Sequence, residues 1–260
     1  MRNHAFISPG DAVIVTGAAG GIGLATVKAL LEQGNFVFAS DKNIANLKQS
    51  LLELDPEGKH TLASELDVAD EKACEAYCTM TAKSGRSIRG LVNNAAIGAF
   101  NMSVESTSFE DWERIIRINL TSLYLMSKYT VPQIRKAGGG AIVNVSSIHA
   151  FATSTGVSPY AAAKGGVLAL TKTMALDYAK DCIRVVALIP GATDTPMLRM
   201  HAEREGKELS ELGFIMSDNA IGRIAQPEEL ADVVTFGLSR KATFVTGSAL
   251  VADGGILAKF

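Results

Sequence analysis

The chain has 260 residues, near the upper limit for one hydrophobic core, and its 47% apolar and 20% charged composition suits a globular protein. Lys and Arg total 25 against 27 Asp and Glu, a formal charge of −2. No broad positive field exists to draw nucleic acid or anionic lipid, so neither is expected as a partner.

The first ten residues include Arg2, His4, Ser8 and Pro9 and lack the apolar stretch of a secretory signal, and no run is long enough to span a bilayer. A soluble, cytoplasmic protein is expected. Short β-branched or aromatic runs then predict strands at 12–16, 35–40, 61–65, 91–93, 141–146, 183–189 and 249–252. Between them, 21–33, 44–54, 70–83, 109–137, 159–180 and 227–238 are long enough for crossover helices. Several strands are apolar throughout, as burial on both sheet faces demands. The pattern predicts an α/β fold: one Rossmann-type domain over 1–260, with a doubly wound parallel sheet of about seven strands and helices on both faces.

Between the first strand and first helix, Thr16-Gly17-Ala18-Ala19-Gly20-Gly21-Ile22-Gly23 forms a glycine-rich turn. Such a turn lets backbone N–H groups approach a pyrophosphate at a helix N-terminus, and the absence of a following Lys-Ser/Thr pair excludes a P-loop. Asp41 ends the second strand, 18 residues past Gly23. A carboxylate there can accept hydrogen bonds from an adenosine ribose and repel a 2′-phosphate, which favours NAD over NADP. Two alternatives stand beside this: Asp41 as a cap for the helix starting near Ile44, and Lys42 as a charge that offsets Asp41 and tolerates the phosphorylated cofactor. Cys74 and Cys78, four apart on a helical stretch with no His or third Cys nearby, read as ordinary buried or half-buried thiols; no metal site is expected.

Tyr160 and Lys164 are four apart at the start of a predicted helix and project from one face. An ammonium beside a phenol favours phenolate, which can take a hydroxyl proton. Farther on, 191–226 is the one irregular segment, carrying Glu203, Arg204, Glu205, Gly206 and Lys207 after the sixth strand. Its place at the carboxyl edge of the sheet predicts a mobile substrate lid with one or two short helices.

From Val13 to Gly255 the chain resembles the short-chain dehydrogenases/reductases. Thr16 to Gly23 is similar to the family's T-G-x-x-x-G-x-G, Asp67-Val68 to its adenine-contacting pair, and Asn93-Asn94-Ala95 to its N-N-A-G. Tyr160 to Lys164 resembles its Y-x-x-x-K, and Pro190-Gly191 with Thr195 its P-G-x-x-x-T. The resemblance implies an oxidoreductase moving a hydride between a nicotinamide and a secondary alcohol or its ketone, with Asn119, Ser147, Tyr160 and Lys164 catalytic. In the implied roles Ser147 holds the substrate oxygen, Tyr160 is general acid/base, Lys164 lowers the phenol's pKa and grips the nicotinamide ribose, and Asn119 supports a proton-passing water. Ser147 is preferred to Ser146 because it lies 13 residues before Tyr160, the family's common offset. Without the resemblance, Asn119 reads as a backbone-bonding helix residue and both serines as turn residues.

The implied cofactor contacts are Gly17, Gly21, Ile22, Gly23, Asp41, Asp67, Val68, Asn94, Tyr160, Lys164, Pro190, Gly191, Thr193 and Thr195. Four departures from the family pattern stand out: Ala96 for Gly, Cys182 for Gly, Val186 for Asn, and Ile189 before Pro190. They read as local repacking. Cys182 denies the preceding helix its easiest left-handed residue.

The substrate pocket is expected between 148–158, 96–103 and the lid. Ser147, His149 and Tyr160 are the candidate substrate contacts, His149 also reading as an exposed loop residue without a role. Ile148, Phe151, Val157, Met197 and Leu198 are apolar, while Thr153, Ser154, Thr155 and Ser158 can bind hydroxyls, so sugars or polyols, hydroxy acids and alicyclic alcohols stay open. Small residues on 159–180 (Ala161, Ala162, Ala163, Gly165, Gly166, Ala169) permit close helix contact, and the resemblance implies a homotetramer through this helix and the one holding Trp112. Two other readings remain: an NADPH-dependent carbonyl or ketoacyl reductase of the same fold, and a non-catalytic dinucleotide-binding protein. A pure scaffold would leave the glycine turn and the catalytic set without explanation.

Overall fold

Apolar runs at the centre of the sheet become strands buried on both faces, while the two edge strands, 61–65 and 249–252, are partly exposed. In the computed structural model, which describes residues 5–209, 212 and 219–259, these are β1 (Ala12–Thr16), β2 (Phe36–Asp41), β3 (Thr61–Glu65), β4 (Ile88–Asn93), β5 (Gly140–Val145), β6 (Ile183–Pro190) and β7 (Ala249–Ala252). They form one sheet in the order β3-β2-β1-β4-β5-β6-β7, with every pair parallel. Residues 1–4, 210–211 and 213–218, on which part of the N-terminal and lid readings falls, lie outside the described residues.

Alternation along the strands feeds two cores. Val13 and Val15 pack on one face with α1 (Gly21–Glu32), α2 (Ile44–Leu54) and α8 (Pro227–Leu238). Ala12 and Ile14 pack on the other with α3 (Glu71–Lys83), α5 (Ser122–Lys136) and α6 (Ser158–Tyr178). Each fully buried side chain of the size of Ile14 or Leu91 contributes about 1.5–3 kcal/mol. Cys74 and Cys78 belong to the second core, where burial pushes their thiols up to about 12 and about 11. Among the described residues no helix is long and apolar enough to cross a membrane.

Three departures from the sequence expectation have local causes. β4 starts at Ile88, not 91: Arg89 interrupts the apolar run, yet its guanidinium reaches back to the Gly139 carbonyl at 2.9 Å and its flanks pair with β1. The helix expected over 109–137 is three pieces, α4 (Phe109–Ile116), a π-helical turn at Arg117–Thr121 and α5. And Arg184, inside an apolar strand, is buried because its guanidinium satisfies the carbonyls of Gly237 (2.8 Å), Val245 and Ser239 (both 3.2 Å); burial pulls it down to about 10.

Cys182 adopts the left-handed conformation that glycine would take easily (φ 57°, ψ 36°), closing the turn between α6 and β6. A Cβ in that region costs about 1–2 kcal/mol, partly offset by the greater entropy glycine loses on folding. Cys182→Gly is therefore expected to raise stability by about 0.5–1 kcal/mol, read as an increase in urea midpoint at constant slope.

Candidate active site

The chain winds β1 to β3 in one direction and crosses to β4 for the return, so the carboxyl ends of β1 and β4 diverge into a crevice. The glycine turn stands at its mouth. Gly17 lies at φ +64° with Ala95 so close that a Cβ would fall 2.8 Å from its Cα, and a Cβ on Gly23 would fall 2.1 Å from the Gly17 carbonyl oxygen. Asn94 fastens the turn: its amide donates to the carbonyls of Thr16 (3.0 Å) and Gly17 (2.9 Å). Its side chain thus shapes the loop from beneath.

α1 begins at this turn with Gly20 as N-cap and no capping side chain, whereas α2, α3 and α4 are capped by Asn43, Asp70 and Ser108. An uncapped N-terminus behind a glycine turn fits a pyrophosphate, whose oxygens would take the N–H groups around Gly21, Ile22 and Gly23. Ile22 and Val68 pack their side chains against the two cores.

Asp41 ends β2 beside this turn. Its Oδ2 accepts from the Ala19 N–H at 3.0 Å and its Oδ1 from the Asn43 N–H at 2.8 Å; Asn43, not Asp41, caps α2. Each oxygen keeps lone pairs for a ribose hydroxyl. The Lys42 Nζ pairs with Asp67 Oδ2, at 2.7 Å.

Across the crevice, Gly191 N–H donates to Ala252 O at 3.0 Å, and the Thr193 hydroxyl to Gly191 O at 3.1 Å. Pro190 closes β6 just before them. Thr195 caps α7 (Pro196–Arg204), and its methyl leans on Gly21, where a Cβ would sit 3.0 Å away. The P-G-x-x-x-T segment and the glycine turn are thereby brought face to face.

Deeper in, α6 presents Tyr160 and Lys164 to the end of β5. The Lys164 side chain is 1% exposed, its Nζ donates to Val145 O at 2.9 Å and lies 5.6 Å from the Tyr160 ring centroid. Burial pulls this ammonium down to about 8. The Tyr160 phenol is raised by burial and partly lowered again by a hydrogen bond to Ser147. The ammonium lies over the ring, and in the chain alone burial outweighs the lowering expected from the Tyr-Lys spacing. Ser146 points away, its hydroxyl donating to Lys164 O at 2.8 Å. His149 stands edge-on to Tyr160, centroids 5.7 Å apart, with Nδ1 3.0 Å from the Thr153 hydroxyl; burial lowers its pKa, which favours the neutral ring.

Asn119 sits in the π-helical turn, fully buried, and clamps Ile97: Oδ1 accepts from the Ile97 N–H at 2.8 Å and Nδ2 donates to its carbonyl at 2.9 Å. A π turn widens the helix at one point, a feature common at functional sites, and a sequence that reads as continuous helix carries no signal for it. Gly166 of α6 lies against this turn, where a Cβ would fall 2.7 Å from Leu120. The polar chain from Asn93 Nδ2 to Asn144 Oδ1 (2.8 Å) and from Asn144 Nδ2 to the Thr171 hydroxyl (2.9 Å), buried below the site, was equally illegible in the sequence.

Two contacts tie the surrounding loops together. Phe100, from the loop after β4, stacks on His201 of α7 (4.7 Å, 12°), with the Arg204 guanidinium 5.3 Å from the same ring. Met102 N–H donates to Gly156 O at 2.8 Å, tying that loop to the segment before α6.

A family model described as enoyl-(acyl carrier protein) reductase matches residues 17–257. Cyclohexanol dehydrogenase of Acinetobacter sp. (strain SE19) is 38% identical over 246 residues, 95% of this chain and 94% of that protein. Dehydrogenase/reductase SDR family member 4 of Homo sapiens is 35% identical over 242 residues, 93% of this chain and 86% of that protein. The chain belongs to the short-chain dehydrogenase/reductase family. Among solved structures of the family, ligand-free aldohexose dehydrogenase of Thermoplasma acidophilum superposes with TM-score 0.86 at 34% identity, covering 97% of this chain and 96% of that one. Levodione reductase superposes with TM-score 0.90 at 31% identity, covering 98% and 100%. Short-chain dehydrogenases/reductases are oxidoreductases that bind a nicotinamide dinucleotide, NAD or NADP.

Proposed function

We propose that this chain is an NAD-dependent dehydrogenase of secondary alcohols, alicyclic ones foremost, working through Asn119, Ser147, Tyr160 and Lys164. The observation that carries the reading is the convergence of Ser147, Tyr160 and the buried Lys164 at the end of a crevice whose other end holds the glycine turn and Asp41.

A bound nicotinamide would accept the hydride from the alcohol carbon. The Ser147 hydroxyl holds the substrate oxygen, and the Tyr160 phenol takes the hydroxyl proton as the carbonyl forms. Lys164, raised in energy by burial, gains a better charge environment when Tyr160 becomes phenolate. Asn119 holds Ile97 in place with its amide and, in this reading, supports a water that passes protons to solvent. The segment 191–226 acts as substrate lid, with Phe100 on His201 as its contact to the opposite wall.

Relatives at 38% identity named cyclohexanol and cyclopentanol dehydrogenase make ring alcohols the first substrates to try. Half-buried apolar Met197 and Leu198 and the Phe100 ring suit a ring alcohol better than a polyol. The exposed faces support a homotetramer: Phe109, Trp112 and Tyr124 on α4 and α5 and Leu176 on α6 are uncovered, and Gly165 has open space above it. Three free thiols agree with a cytoplasmic setting.

Cofactor choice is decided by titrating the purified protein with NADH and NADPH, followed by cyclohexanol oxidation. Like charges near Asp41 are expected to make NADPH bind at least about tenfold more weakly than NADH, and Asp41→Ala to narrow that gap. Tighter NADPH binding would establish the reductase reading instead; no dinucleotide binding at all would sink the catalytic one.

A further inference from the structure

We infer that Asp67 selects the cofactor indirectly, by holding the Lys42 ammonium away from the place a 2′-phosphate would occupy beside Asp41. The inference rests on the NAD reading given above and adds a positioning residue to it.

A lysine directly after the strand-ending carboxylate is an awkward neighbour for an enzyme that excludes a phosphate. Its ammonium has reach enough to sit over Asp41 and receive the phosphate as a point charge. The fold prevents this through strand register. Asp41 pairs with Glu65 across β2 and β3, and Leu66 N–H donates to Asp41 O at 3.0 Å, so the chain leaves β3 directly alongside Lys42. Asp67 arrives with its carboxylate already oriented: Oδ1 accepts from the Ala69 N–H at 3.0 Å, and Oδ2 faces Lys42 Nζ at 2.7 Å. Asp41 already accepts from the Ala19 and Asn43 N–H groups, and the oxygen that Lys42 reaches is Asp67 Oδ2.

The charges on the pair are secure near neutrality. The hydrogen bond from Lys42 lowers the Asp67 carboxyl, and the same bond raises the ammonium. The pair is solvent-exposed, 78% for Lys42 and 40% for Asp67, so its worth is a factor of a few and not of hundreds. An effect of that size is enough to tilt cofactor choice without fixing it.

The test is a double-mutant cycle on the full chain, with NADH and NADPH affinities measured by fluorescence titration for wild type, Asp67→Asn, Lys42→Met and the double variant. The ratio of the two affinities is the readout, because adenine contacts are common to both dinucleotides and cancel. Asp67→Asn is expected to shift the ratio about fivefold toward NADPH, Lys42→Met to move it less than about twofold, and the double variant to return to the wild-type ratio. An unchanged ratio in Asp67→Asn overturns the inference. So does a gain that survives Lys42→Met, because that would be simple loss of a negative charge. A wild type that prefers NADPH overturns this inference and the NAD reading together, whereas an NAD-preferring wild type with a flat cycle overturns this inference alone.

Discussion

Replacing Tyr160 with phenylalanine is expected to lower kcat for cyclohexanol oxidation by about 10²- to 10⁴-fold, the range over which a positioned acid/base contributes. The ring stays in place because its packing against His149 and Lys164 does not use the hydroxyl. What is lost is the hydroxyl that can receive the alcohol proton, the group whose pKa Ser147 helps to lower. NADH binding should survive within about tenfold, since the glycine turn and Asp41 lie at the other end of the crevice. Steady-state rates beside a fluorescence titration check both. Retained turnover in Tyr160→Phe would remove the phenol from the chemistry.

Lys164→Met should separate stability from activity. Burial pulls the Lys164 ammonium from its ordinary 10.5 to about 8, a difference of about 3 kcal/mol between charged and neutral forms. Because the folded value lies below the unfolded one, the charged lysine costs stability in full below about pH 8. That cost fades as pH rises toward 10.5. Methionine removes the cost but leaves Val145 O without its donor, worth about 1–3 kcal/mol. The variant is therefore expected to be about 1 kcal/mol more stable than wild type at pH 7, the advantage shrinking through pH 8 to 9.5, while turnover falls at least about 100-fold. Urea denaturation across that pH range measures the first and steady-state rates the second. A variant destabilised by more than about 2 kcal/mol at pH 7 would show that the ammonium stabilises the fold.

The strand runs, the crossover helices and the glycine turn were legible because each is a local pattern: apolar continuity, helical spacing, and a turn followed by a helix. The family motifs added Ser147 and Asn119, which local chemistry alone left as a turn residue and a helix residue. The structure changed what several of these residues do. Lys42 is drawn to Asp67 and not to Asp41, Asn43 takes the capping role open to Asp41, and Asn94 shapes the loop from below. The first and third outcomes depend on which strand lies next to which, and register is a property of the assembled sheet.

The sequence by itself determined the fold class, the order of elements and the identity of the polar residues brought to the crevice, because periodicity and motif spacing are written along one chain. Tertiary structure alone decided the π turn at Asn119, the buried chain through Asn144 and Thr171, the phenol's rise by burial and the Phe100–His201 stack. The buried chain joins groups far apart in sequence that meet in a water-poor interior. There an unpaired polar atom or a bare charge is costly, and its partner is whichever group the packing places in reach.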